Sequence, residues 1–152
     1  MDTLKLKGTY HFKILDVNGN LKDEWSVDNL VTSAGKAQLA LLAGDATATP
    51  FTYIAVGTSS TAPTVGQTAL VAETTTNGLQ RASATVSRTT TTVTNDTLQL
   101  TKTFTATGTV AVEEVGVFNA ASSGTMLSRA LTGTKTVLNG ETYVATYTLA
   151  FS

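Results

Sequence analysis

Hydrophobic and polar residues alternate along much of this chain, most clearly between Asn95 and Thr105. Leu98, Leu100 and Phe104 share one parity of this stretch, whereas the opposite parity is polar throughout. Because successive strand side chains point to opposite faces, the pattern predicts a strand with one buried and one solvated face. About one residue in five is threonine, whose β-branched, polar side chain suits a solvated strand face. The chain as a whole is therefore predicted to be all-β.

Residues 1–28 are predicted to form an N-terminal β-hairpin. Apolar and polar residues alternate from Leu4 to Ile14. The Asn18-Gly19 step that follows favours a type I′ turn, because both residue types tolerate positive φ. The return strand is predicted over Leu21–Val27, with Trp25 as its largest apolar side chain.

One segment, about residues 33–43, has the composition of a short helix. Thr32 or Ser33 can cap its first amides, and Gly44 stands where a C′ glycine is expected. The apolar residues at helical spacing are Ala34, Ala37 and Leu41, flanked by Leu42. Since ten residues are marginal as an isolated helix, this face is expected to dock on the sheet.

The remaining chain predicts a strand at 51–56 and a series of hairpins. The predicted hairpins pair 79–94 with 97–107, 110–119 with 126–131, and 135–138 with 142–151 about Asn139-Gly140. Eight or nine strands with frequent turn signals are typical of an antiparallel β-sandwich or a jelly-roll-like barrel. No linker divides the sequence, so residues 1–152 are expected to form a single domain.

The composition of the chain indicates which kinds of partner it is not expected to bind. Charged residues make up 14% of the chain, the net charge is −1 and the pI is about 5.7. Nucleic-acid binding is therefore not expected, because it calls for a basic patch. The sequence has no cysteine, no apolar signal-peptide core in Met1–Lys7 and no apolar stretch long enough to span a bilayer. We expect synthesis in the cytoplasm and no membrane partner.

Groups able to do chemistry are few and poorly placed. His11 lies between lysines on the polar parity of the first strand, which indicates a surface residue. Glu113 and Glu114 are sequential on a strand and so point to opposite faces, which disfavours an acid/base pair. One of them is expected to face inward, near one of three arginines: Arg81, Arg88 or Arg129. No catalytic, cofactor or metal site is predicted.

Most aromatic residues occupy the apolar parity of predicted strands and are assigned to the core. Exposed aromatics would instead indicate sugar binding. Trp25 and Tyr53 are the two candidates for such a receptor or interface contact.

Several segments of the chain resemble small structural proteins of tailed bacteriophages. They are Asn29–Lys36, Leu41–Asp45, Tyr53–Thr58, Glu113–Ala120, Leu127–Ala130 and Tyr147–Phe151. The resemblance implies a non-enzymatic virion protein, made in the host cytoplasm and exposed on the particle, that associates as a homotrimer. The short length of this chain favours a capsid decoration (cement) protein, which binds the major capsid protein or another virion protein on the outside of the head.

Two other functions are kept as alternatives. One is a head-fibre, tail-fibre or baseplate-associated module that recognises host glycans. The other is an all-β hydrolase or lyase, which the poor supply of acid, base and metal ligands disfavours. For the decoration function, the candidate capsid contacts are the lysines of the N-terminal hairpin: Lys5, Lys7, Lys13 and Lys22. The same lysines would also serve simply to keep an edge hairpin soluble.

Overall fold

Ten strands and one helix make up the computed structural model, which describes residues 1–152. The strands are β1 (Leu6–Leu15), β2 (Leu21–Asp28), β3 (Leu30–Val31), β4 (Tyr53–Gly57), β5 (Ala82–Ser83), β6 (Thr85–Thr89), β7 (Thr97–Thr105), β8 (Val110–Phe118), β9 (Met126–Val137) and β10 (Thr142–Phe151). The helix is α1 (Ser33–Gly44). The predicted all-β sandwich with one short helix is confirmed.

The strands form two five-stranded antiparallel sheets. The first sheet has the order β2-β1-β10-β7-β6 and the second has the order β3-β9-β8-β4-β5. The chain changes sheet four times: at Asn29 between β2 and β3, at Ala84 between β5 and β6, in 106–109 between β7 and β8, and in 138–141 between β9 and β10.

The core lies between the two sheets and follows the parity that the sequence predicts. From the first sheet it takes aromatic side chains: Tyr10, Phe12, Phe104, Tyr143 and Tyr147. The second sheet contributes mostly branched aliphatic ones: Ile54, Val56, Val112, Val115 and Val117. A hydrogen bond of 2.6 Å between the hydroxyls of Tyr10 and Ser128 joins the two sheets across this core.

The helix begins at the predicted residue and ends one residue later, and its buried face matches the predicted one only in part. Thr32 caps it, with its hydroxyl accepting a bond from the Gly35 amide at 2.9 Å. Gly35 is buried against β9, so close that a Cβ there would lie 2.5 Å from the Leu127 carbonyl oxygen. Because α1 packs on β9 through Gly35, Leu39 and Leu42 turn toward the core, whereas Ala37 and Leu41 are exposed.

Gly44 is also not the predicted C′ residue. It lies inside the helix without a positive φ, and the Asp45 amide closes the last turn on the Leu41 carbonyl.

Two turn predictions and two strand predictions are wrong. Asn139-Gly140 links β9 of the second sheet to β10 of the first, so it does not close a hairpin. The predicted strand 79–94 splits at Ala84, and predicted strands 126–131 and 135–138 merge into β9. In the first hairpin only Gly19 has a positive φ, of 82°, so the turn is not type I′.

Candidate functional site

The outer face of the first sheet is covered almost entirely by hydroxyl and other small polar side chains, and we call it the hydroxyl face. The pairing register of the strands places the residues of this face in rows that cross all five strands. One row is Ser26, His11, Thr146, Thr101 and Thr85, and the next is Asp28, Thr9, Thr148, Gln99 and Ser87. Neighbouring strands lie about 4.8 Å apart, so each row is a line of closely spaced polar groups.

The threonines of this face bond partly to each other and to the backbone. The hydroxyls of Thr101 and Thr146 lie 3.4 Å apart. The Thr148 hydroxyl donates to the Thr9 carbonyl oxygen at 3.5 Å. The threonine-rich alternation of the sequence therefore becomes one continuous, nearly uncharged surface.

Three of the four candidate lysines lie on the β1 side of this surface. Lys5, Lys7 and Lys13 share a parity with Thr9 and His11, and all three lysines are exposed. Lys13 lies 4.0 Å from a Glu24 carboxylate oxygen. Eight residues separate Lys5 from Lys13, so they are about 26 Å apart along the strand. The lysines form a line along β1, one strand in from the edge strand β2, and not a compact cluster.

Lys22, the fourth candidate lysine, forms an ion pair with Glu141. Its ammonium donates to Glu141 at 2.7 Å, and Glu141 also accepts a bond from the Leu138 amide at 2.9 Å. Burial raises the pKa of Glu141, but these two hydrogen bonds outweigh it and leave the pKa below its usual value. The structure therefore separates Lys22 from the other three lysines and uses it to hold the turn before β10.

His11 is a partly exposed residue of the hydroxyl face, as its position in the sequence predicts. Its Nδ1 lies 2.9 Å from the Ser26 hydroxyl, and its Nε2 lies 2.8 Å from a Glu24 carboxylate oxygen. The imidazole thus ties β1 to the edge strand β2.

Trp25 and Tyr53 lie on different sheets and do not form one aromatic platform. Trp25 packs against the core, 5.1 Å from the ring centroid of Phe12, and the Lys135 ammonium lies 4.4 Å from the indole. Tyr53 is half-buried and packs on a small separate cluster formed by Ala55, Leu70, Phe118 and Met126.

The outer side of the second sheet carries a buried ion pair, which the sequence predicted only as one of three pairings. The Arg129 Nε donates to Glu114 at 2.8 Å, and both side chains are almost fully buried. Glu114 also accepts bonds from the amides of Val71 and Ala72. A carboxylate on β8 therefore holds the long 58–81 segment against the sheet. Glu113, its neighbour, accepts a bond from Thr134 instead.

A second arginine, Arg81, fastens the other end of that segment. It forms two parallel hydrogen bonds to Glu73, at 2.8 and 2.7 Å, and its guanidinium lies 3.6 Å from the Phe118 ring centroid. It also donates to the carbonyls of Ala120 and Ser123. Sequence reasoning missed this cluster, because Glu73 and Arg81 lie in a segment without a periodic pattern.

No group of three or more histidine, aspartate or glutamate side chains is placed to hold a metal ion. The single helix has neither the length nor the hydropathy of a membrane-spanning helix. Comparison of the chain with protein-family models, with curated proteins and with solved structures finds no match. The comparisons therefore lend no support to the resemblance to phage proteins, which rests on the quoted residues alone.

Proposed function

We propose that this protein is a non-enzymatic structural protein of a tailed-phage virion, bound to the outside of the capsid as a decoration protein. The observation that carries the proposal is the hydroxyl face with its line of lysines. The face carries no charged side chain on β10, β7 or β6, and its lysines lie on or beside β1 and on the neighbouring edge strand β2.

Such a surface suits a protein present in many copies on a particle. Neutral hydroxyls limit nonspecific adhesion to charged macromolecules, while a line of exposed lysines can meet acidic groups of a shell lattice. Many copies, each bound weakly and associated as trimers, would together hold firmly. Homotrimer formation is carried over from the resemblance.

Five of the six segments that resemble phage structural proteins belong to the second sheet or the helix, whereas Tyr147–Phe151 lies on β10 of the first sheet. Residues 29–36 span β3 and the start of α1, and residues 53–58, 113–120 and 127–130 fall on β4, β8 and β9. They meet around the buried Glu114–Arg129 pair and the close approach of Gly35 to Leu127. The resemblance therefore concerns a packed framework, and this agrees with a structural role.

The decisive experiment is the copy number of the chain in purified virions, measured by quantitative mass spectrometry. Stoichiometry with the major capsid protein is the expected result. A copy number like that of tail or baseplate proteins would favour the fibre or glycan-binding alternative, and absence from the virion would overturn the proposal.

Charge reversal tests the line of lysines Lys5, Lys7 and Lys13 directly. Lys5→Glu or Lys13→Glu should weaken binding to particles that lack the protein on the order of tenfold, and raised salt should weaken wild-type binding as well. Arg88→Glu is the matched control, since Arg88 is an exposed cation on β6 at the opposite edge of the sheet. Equal loss in all three variants would show that only net charge matters.

A further inference from the structure

The largest groove of the molecule lies where the chain leaves the first sheet for the second. It has a volume of about 640 Å³ and runs between β1 and the 28–31 crossover, with Lys36 of α1 and Val65 on its rim. Its walls are largely aliphatic: Leu4, Leu6, Leu30, Val31 and Val65. Leu4 is 71% exposed and Val65 is 49% exposed, so part of this apolar surface is in contact with solvent.

One wall of the groove is an unpaired strand edge. β2 pairs with β1 only from Thr9 onward, because the chain turns away after Asp28. On that side of β1, Leu6 and Lys7 face no strand, and the sole backbone bond is from the Asn29 amide to the Gly8 carbonyl at 3.3 Å.

The free hydrogen-bonding groups of this edge can be assigned. Lys5 exchanges backbone bonds with Ser152, next to β10, at 2.6 and 3.0 Å. Because an antiparallel ladder alternates, the backbone groups of Leu6 and Gly8 point the other way, into the groove. The Leu6 amide and carbonyl are therefore open to an added strand, whereas Asn29 lies directly against the buried Gly8.

Charge at the rim favours an acidic occupant. Lys7 and Lys36 line the groove, both are exposed, and neither belongs to any ion pair of the structure. Asp28 is the one acidic residue of the lining. The two lysines outweigh it, and the rim has a net positive charge.

We propose that this groove binds an extended segment of a partner protein by strand addition at Leu6. The segment has apolar side chains at alternate positions, which pack on Leu4, Leu6 and Val65, and a carboxylate that reaches Lys7 or Lys36. Backbone bonds to the free edge provide affinity, and the apolar wall and lysines provide selectivity. The proposal deepens the decoration function, in which the segment belongs to a capsid protein, but its chemistry is independent of that function.

The test uses the full chain as bait for a library of random heptapeptides. Enriched peptides are expected to alternate apolar and other residues and to carry an aspartate or glutamate. Binding of such a peptide, measured by fluorescence anisotropy, should weaken at least about tenfold in Leu4→Glu and in Lys36→Glu. Leu41→Glu is the matched control for Leu4, since it replaces an exposed leucine on α1 that does not line the groove.

Amide exchange supplies a readout that needs no substitution. The Leu6 amide should exchange quickly in the free protein and slowly in the peptide complex, whereas the Lys7 amide should be protected in both.

Three results would overturn the proposal: no enriched peptide, a peptide that Leu4→Glu binds as well as wild type does, or unchanged exchange at the Leu6 amide. A concentration-dependent dimer abolished by Leu4→Glu would also overturn it, because the groove would then receive a second copy of this chain. Each of these results is distinct from absence of the chain from virions, which tests only the proposed function.

Discussion

Glu114 and Arg129 form a buried ion pair on the second sheet. Glu114 accepts hydrogen bonds from Arg129, Val71 and Ala72, and it is fully shielded from solvent. Removing one member of a buried ion pair leaves the other charged and unpaired, which costs about 3–5 kcal/mol. The pair is therefore a point at which the 58–81 segment and the second sheet depend on one another.

Glu114→Gln should lower the free energy of unfolding by about 3–5 kcal/mol in urea denaturation, because Arg129 would keep its charge without a carboxylate. Glu113→Gln is the neighbouring control. Its carboxylate is half-buried and bonds only Thr134, so the expected change is within about 0.5 kcal/mol. Similar losses in the two variants would contradict the assigned role of Glu114.

The residue scale also shows what the sequence could and could not predict. Alternation was sufficient to say that Glu113 and Glu114 differ in environment, and that one of them would find an arginine. Which arginine depends on how β8 and β9 pair, and the register places Gly116 opposite Arg129. Arg81 binds Glu73 instead, within a segment whose path follows from contacts and not from periodicity.

At the scale of elements, the helix shows how a close approach overrides an apolar pattern. Gly35 lies against the backbone of Leu127, where no larger residue fits. That contact sets the rotation of α1 and turns Leu39 and Leu42 toward the core, whereas Ala37 and Leu41 are exposed. A count of apolar residues at helical spacing gives no weight to a glycine, and so the prediction was wrong for Ala37 and Leu41 although it included the flanking Leu42.

Gly35→Ala should destabilise the protein by about 1–3 kcal/mol, although alanine has the higher helix propensity, because the added Cβ would overlap the Leu127 carbonyl. Gly44→Ala is the matched control in the same helix. Nothing lies within 4 Å of a Cβ there, so stability should stay the same or rise by about 0.5–1 kcal/mol. Urea denaturation of both variants measures the difference, and a stabilised Gly35→Ala would show that the helix is not held by this contact.

Turns were the least predictable elements. Asn139-Gly140 does form a tight turn, with Gly140 at a φ of 86°. Its neighbours nevertheless pair with other strands, because β9 is taken by β8 and β10 lies between β1 and β7. Local turn chemistry thus predicts where the chain reverses, whereas the choice of partner strand is made by the packing of two sheets.

The whole molecule combines a hydroxyl-rich exterior with a core that is unusually aromatic on one sheet. Tyr10, Tyr143 and Tyr147 all lie in that core. Burial raises the pKa of Tyr10 and Tyr143 well above the usual value and raises the pKa of Tyr147 to about 12. Their neutral forms are therefore part of the folded state.

The direction of the resulting pH dependence follows from linkage. An unfolded chain releases tyrosine protons near pH 10, whereas the folded protein keeps them until about pH 12 or above. Between these values the folded state binds more protons, so its stability falls as pH rises. The contribution is fully present below about pH 10 and is lost through the alkaline range.

Tyr143 provides the sharpest test of this argument. Its hydroxyl is buried and has no hydrogen-bond partner in the protein, so Tyr143→Phe removes a desolvated polar group at little cost in packing. We expect a gain of about 1 kcal/mol in unfolding free energy at neutral pH, together with a weaker loss of stability above pH 10. Tyr10→Phe is the control, since it breaks the bond to Ser128 and should destabilise the fold. Urea denaturation across neutral and alkaline pH measures both effects. If Tyr143→Phe were destabilised as much as Tyr10→Phe, the Tyr143 hydroxyl would have to be satisfied in the folded protein. An unchanged loss of stability above pH 10 in both variants would contradict the tyrosine core as the source of the alkaline transition.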